Sequence, residues 1–129
     1  MHESTKGAVL LERRIVVDDA AIAAVARAIG TPSAEATARL VPFFAPTLGG
    51  EHLVVDGIGL DLNRALLGGL HYEWVRPFAV GETLDVRLSV EDVFQRGSNQ
   101  FGVLVAEFRD EDGELVQRQS TTFIERQDG

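Results

Sequence analysis

Imidazoles and carboxylates are the side chains here best suited to acid–base chemistry near neutral pH. The chain has three histidines. His52 follows Glu51 directly after Gly49-Gly50. A carboxylate and an imidazole on a loop can do acid–base work, but adjacent residues point in different directions in most backbones. The competing reading of Glu51-His52 is a solvated loop pair. His71 opens the stretch His71-Tyr72-Glu73-Trp74 after Gly68-Gly69. It reads either as a ligand contact or as an edge-strand imidazole bonded to a neighbour. His2 lies in the N-terminal segment and is discounted. Ser98 and Ser120 fall in turn and strand contexts with no signal that places either beside His71, so no nucleophile triad is expected. The sequence has no cysteine, which removes disulfides, thiolate nucleophiles and thiolate metal sites. Without a His-x3-His or Cys pair no metal site is expected either. Gly57-Ile58-Gly59 lacks the third glycine and the preceding strand of a dinucleotide fingerprint, and no cofactor is expected.

These residues need elements to hold them. Val9 to Val17 reads as an opening extended segment rich in β-branched residues. Asp18 and Asp19 offer N-cap oxygens, and Ile22, Val25 and Ile29 then fall on one helical face. Gly30 and Pro32 end that helix. Ser33 to Leu40 carries a second helical signature, cut by Pro42. Residues 41–50 form an apolar patch punctuated by Pro42, Pro46, Gly49 and Gly50, read as buried and turn-rich. Residues 51–69 read as a long loop with a helical piece near Leu62–Leu67. From Leu70 the period changes to two. Strands are expected from Leu70 to Val75, around Leu84–Val90, from Phe101 to Phe108 and from Leu115 to Glu125. Asp112-Gly113 predicts a type I′ hairpin. The third of these strands is apolar on both faces and is therefore placed centrally. The sum is an α+β domain spanning 1–129, a four-stranded antiparallel meander covered on one face by a helix.

Composition bounds the partners. Twelve basic residues against twenty acidic ones leave a net charge of −8, with no basic cluster larger than Arg13-Arg14. Nucleic acid and anionic membrane surfaces are disfavoured, because both need a basic footprint. No apolar run approaches the ~20 residues that cross a bilayer. The N-terminal stretch lacks the pattern of a signal peptide, so a cytoplasmic setting is expected.

The stretches HYEWVRPFAVGETLDVRLSVEDVF and EFRDEDGELVQRQSTTFIER resemble the MaoC-like dehydratase family, and most of all its N-terminal-type halves. The resemblance rests on Arg76-Pro77, Val80-Gly81-Glu82, Asp112-Gly113-Glu114 and Glu125-Arg126. Ala45-Pro46-Thr47 and Gly59-Leu60-Asp61-Leu62-Asn63-Arg64 extend it to nearly all of residues 9–126. It implies a hot-dog fold, an antiparallel sheet wrapped on a helix, working in pairs. It implies acyl-CoA or acyl-carrier-protein thioesters as partners, and reversible hydration of a trans-2-enoyl thioester as the reaction. Beside such a tunnel, Asn63 and Arg64 would meet a CoA or pantetheine phosphate. Phe43, Phe44 and Pro46 would line the acyl pocket, and His71 would contact ligand. The competing readings are a surface arginine and ordinary core filling.

Active members of the family carry an Asp followed by a His five positions later, on the loop after the first helix. Here that loop is GTPSAEATARLVPFF, with neither residue; Glu35 is its one carboxylate. The expectation is a subunit without catalytic residues of its own, paired with a second MaoC-like subunit or with itself. The rival readings are a homo-oligomeric acyl-thioester binding module without turnover, and a hot-dog thioesterase using Glu51 or Glu73 as base.

Overall fold

The computed structural model describes residues 1–17, 51–61, 63–79 and 81–127. The helix expected after Asp18, the segment 33–40 and the apolar patch with Phe43, Phe44 and Pro46 lie outside the described residues.

Five strands form one antiparallel sheet: β1 (Val9–Val16), β2 (Ala65–Trp74), β3 (Thr83–Arg96), β4 (Asn99–Arg109) and β5 (Leu115–Arg126). Their spatial order is β1-β3-β4-β5-β2. The doubly apolar strand β4 is central, as its sequence predicts. The expected four-strand meander is corrected: β3, β4 and β5 are consecutive neighbours, but β2 lies at the far edge beside β5. Residues 75–82 therefore cross the ends of β5 and β4 before entering β3. Consecutive strands usually pair, and the strand period alone cannot flag the exception.

The strand faces follow from register, because directly paired residues share a face. Leu84, Val86, Leu88 and Val90 alternate inward and meet Leu104, Ala106 and Phe108 of β4. A bulge between Val90 and Asp92 resets the alternation so that Val93 also returns to the core. Val17, Ile58, Leu60, Phe78 and Val116 complete this cluster. Val86 faces the core and Arg87 faces water, as the strand pattern requires. Val105 is different: it is only 6% exposed, yet it pairs with Ser89 and Ser120 on the opposite face. Its burial comes from its place in the middle strand, not from the core.

Two local expectations are overturned. Residues 51–69 are not a loop. Glu51–Ile58 form helix α1, and β2 already begins at Ala65. The glycines at 57 and 59 masked the helical register, and Gly68 sits at a bulge that breaks the strand period. Gly68 faces Ile124 so closely that an added Cβ would come within 2.6 Å of its Cδ1. The Asp112-Gly113 turn is not type I′ either. That type needs two residues at positive φ, and only Gly113 has one, at 81°. Instead the Asp110 carboxylate accepts the amides of Asp112 and Glu114, at 3.0 and 2.9 Å. The side chain of Asp110 thus builds a five-residue loop.

Candidate functional site

The resemblance motifs around Arg76 and Glu82 assemble into one clamp. Arg76 donates from both terminal nitrogens to Glu82, at 3.0 and 2.8 Å, a bidentate pair. It also reaches Asp110 at 3.4 Å and the Pro77 carbonyl at 3.0 Å. Glu82 in turn accepts the Ala79 amide at 2.7 Å. The tight turn of the 75–82 crossing link places Gly81 at φ 88°, a conformation that L side chains rarely adopt. The clamp pins this link to the β4–β5 loop that it passes. The hydrogen bond with Glu82 is the main cause that raises the Arg76 pKa. The backbone amides of Glu114 and Asp112, with Arg76, hold the Asp110 carboxyl below its ordinary range. These motif residues tie the link to the sheet through charges that satisfy one another.

Asn63 and Arg64 lie in the turn between α1 and β2. The Asn63 amide donates to the Asp61 carboxylate at 3.0 Å, and Arg64 Nε lies 3.7 Å from that same carboxylate. The Asp61 amide donates to Glu125 at 2.9 Å, which ties the turn to β5. Glu125 also accepts from Gln127 at 2.9 Å, and the Met1 ammonium stands 3.5 Å away. Burial pushes the Glu125 carboxyl up, but the Asp61 amide, Gln127 and the ammonium together outweigh it and hold it below its ordinary range. The Arg64 side chain is half exposed, so it can present a guanidinium at this end of the sheet.

His71 lies elsewhere. It pairs with Ser120 on the outer face of the sheet, away from the core, six strand residues from Ala65. At the rise of a strand this is roughly 20 Å. Its Nε2 stands 3.4 Å from Glu73, and both side chains are mostly exposed. The structure thus brings Ser120, His71 and Glu73 together, which the sequence did not reveal. No hydrogen bond joins Ser120 to His71 among the described residues, and an open sheet face offers no shelter from water. His71, Asn63 and Arg64 do not converge on one site. Glu51 and His52 fall in the first turn of α1 and not in a loop. The His2 amide donates to the Ile58 carbonyl at 2.8 Å. Its ring lies over Gly59, where an added Cβ would meet it.

A polar lane on the core-side face went unnoticed in the sequence. Gln117, Gln119 and Thr121 of β5 are 0%, 1% and 1% exposed. Register sets them between the apolar wall of β4 and the face of β2 that carries Trp74, Tyr72 and Leu70. Gln119 Nε2 donates to Gln117 Oε1 at 2.8 Å. Trp74 packs edge-on against Phe78 at 4.9 Å, and Phe78 lies 5.5 Å from Phe108. Burial raises the pKa of Tyr72, which keeps its hydroxyl protonated. The arrangement is an aromatic wall with amide groups set into it. Its signal was hard to read because β5 is polar on both faces, Gln117 and Gln119 inward and Arg118 and Ser120 outward.

Among the described residues no helix is long and apolar enough to cross a membrane. No cluster of three metal-ligating side chains stands together among them.

The sheet and its order define a hot-dog protein, and its solved likenesses have that fold. The chain aligns with a chain of the HadBC (3R)-hydroxyacyl-ACP dehydratase complex of Mycobacterium tuberculosis at TM-score 0.68 and 21% identity. That alignment covers 93% of this chain and 96% of the other. It aligns with the ChsH1–ChsH2 complex of the same organism at TM-score 0.69 and 13% identity, over 98% and 88% of the two chains. In sequence, a UPF0336 protein of Streptomyces griseus is 30% identical over 101 residues, 78% of this chain and 67% of the relative. Residues 4–119 match the family model described as FAS1-like, dehydratase domain region. The chain belongs to this family of MaoC-like hot-dog proteins.

Proposed function

We propose that the chain is a cytoplasmic subunit of an acyl-thioester hydratase or dehydratase, the half that shapes the acyl tunnel while its partner performs the chemistry. The observation that carries this reading is the sequence between Gly30 and Pro46, which holds neither the Asp nor the His of active family members. Positioned acid and base groups each contribute about 10²–10⁴-fold, so their absence from the usual place removes most of the rate.

The free edge of the sheet supports a partner. From Ala65 to Leu70 strand β2 has no charged side chain, and Leu66, Leu67 and Leu70 are 52%, 53% and 45% exposed. An uncharged edge strand is a template for another strand. The two solved likenesses are described as complexes of two different chains. A second hot-dog unit that extends the sheet at β2 fits both observations, and the two units together form one domain-sized tunnel for an acyl-CoA or acyl-carrier-protein thioester.

The test is hydration of crotonyl-CoA and longer enoyl-CoA thioesters. The lone chain is expected to be silent, and addition of a partner bearing the Asp and His restores turnover. Replacing Glu51 by Gln and His52 by Ala in this chain should then change the restored rate only modestly. The reading fails if the lone chain turns over at roughly one per second, an ordinary enzymatic rate, and the double variant does not.

A further inference from the structure

Gln117 sits on a central strand, 0% exposed, with its carbonyl oxygen taken by Gln119. Its Nε2 is the one buried side-chain nitrogen or oxygen among the described residues that has no hydrogen-bond partner. Buried polar groups in native proteins are nearly always satisfied, and an exception calls for a missing acceptor. The equivalent positions of the neighbouring strand β4 are Leu104, Ala106 and Phe108, so the fold at this layer can be made from apolar side chains. An apolar residue at 117 would avoid the cost of the orphaned donor. We propose that the Gln117 amide is a substrate-binding donor that takes an acceptor oxygen of the acyl thioester bound by this subunit.

The surroundings restrict that acceptor. Gln117 pairs in register with Trp74 on one side and Phe108 on the other, and Phe78 touches both rings. No charged side chain belongs to this wall among the described residues. A carboxylate brought here would lose its hydration without a cation in return. The fitting group is therefore a neutral oxygen on an otherwise apolar ligand. Two positions of an acyl thioester offer one: the thioester carbonyl, and a hydroxyl further along the chain. The inference rests on the proposed function for the identity of the ligand, but its residue, direction and chemistry come from the wall itself.

The experiment measures binding of three probes to the full chain by calorimetry. S-octyl-CoA has no acyl oxygen, octanoyl-CoA has the carbonyl alone, and 3-hydroxyoctanoyl-CoA has both oxygens. Gln117→Met removes the amide and keeps an unbranched side chain of similar length. It is expected to weaken the oxygen-bearing probes about tenfold, the scale of one hydrogen bond to a buried group, and to leave S-octyl-CoA within about twofold. A loss already present with octanoyl-CoA places the acceptor at the carbonyl. A loss confined to 3-hydroxyoctanoyl-CoA places it at the hydroxyl. Equal losses for all three probes, or none for any, overturn the inference and leave the proposed function standing. A wild-type chain that binds none of the three, alone and with the partner subunit that restores turnover, overturns both. If Gln117→Met does not fold, the double variant Gln117→Leu, Gln119→Leu removes the internal amide pair as a unit and is read with the same probes.

Discussion

At the level of single residues, burial separates side chains that are neighbours along one strand. Val86→Asp places an unpaired charge in the core and should cost about 3 kcal/mol or more, whereas the adjacent Arg87→Ala should shift stability by under about 0.5 kcal/mol. Equal effects of the two in denaturant melts would refute the register of β3. The two depressed carboxyls predict an acid limb. Asp110 and Glu125 both have folded pKa values below their ordinary ones, so each protects the fold above the ordinary carboxylate range. That contribution fades as the pH falls through the ordinary range and is lost below the folded values. Glu125→Gln should lower stability at neutral pH by about 1–3 kcal/mol, the cost of its charge-assisted bonds, and flatten the loss as the pH falls through and below the ordinary carboxylate range. Melts at stepped pH check this, and an unchanged acid limb would show that Glu125 is not its source. The sequence told which face of β3 is inside, because Leu84, Val86, Leu88 and Val90 alternate with polar neighbours. It could not place Gln117 and Gln119, since polar residues on both faces of β5 leave no contrast to read.

Elements were legible in proportion to the regularity of their period. β3 alternates cleanly and β4 is apolar on both faces, β5 is bounded by the Asp112-Gly113 turn, and the strands expected there are parts of the observed ones. α1 and the first half of β2 escaped, because glycines at 57, 59, 68 and 69 interrupt both the helical and the strand pattern. The β4–β5 loop was misread because its geometry is made by the Asp110 side chain and not by its two central residues. Two predictions belong to this scale. Gly113→Ala should destabilise by about 1 kcal/mol through the strain of its positive φ, measured as a shift in the denaturation midpoint with the slope unchanged. Replacing Leu67 and Leu70 by Lys should leave the fold within about 1 kcal/mol, because both are half exposed. The same change should abolish assembly, since charge on an edge strand opposes pairing. Sedimentation that finds the double variant still assembled would remove β2 from the interface.

At the scale of the whole molecule, the fold class and family were open to the sequence, while the strand order was not. The motif residues Arg76, Glu82 and Asp110 could be recognised as a set from their order along the chain, but their purpose depends on the crossing link that only the topology reveals. The residues expected to touch ligand divide. Asn63 and Arg64 share a turn, His71 occupies the outer face, and Phe43, Phe44 and Pro46 fall outside the described residues. The sheet has two unlike borders. Along β1 lie Glu12, Arg13 and Arg14, with Arg87 and Asp85 of β3 paired to the first and last of these; along β2 runs the uncharged stretch from Ala65 to Leu70. In the language of polymer chemistry such a subunit is monofunctional. Under the proposed pairing at β2, joining consumes that end and growth would stop at two units, whereas a molecule with two sticky borders would propagate into fibres. Adding Leu at Glu12 and Arg14 should convert the chain into a bifunctional monomer, seen as concentration-dependent oligomers beyond the dimer in light scattering. A variant that still stops at two would show that something other than the charge on β1 caps the sheet.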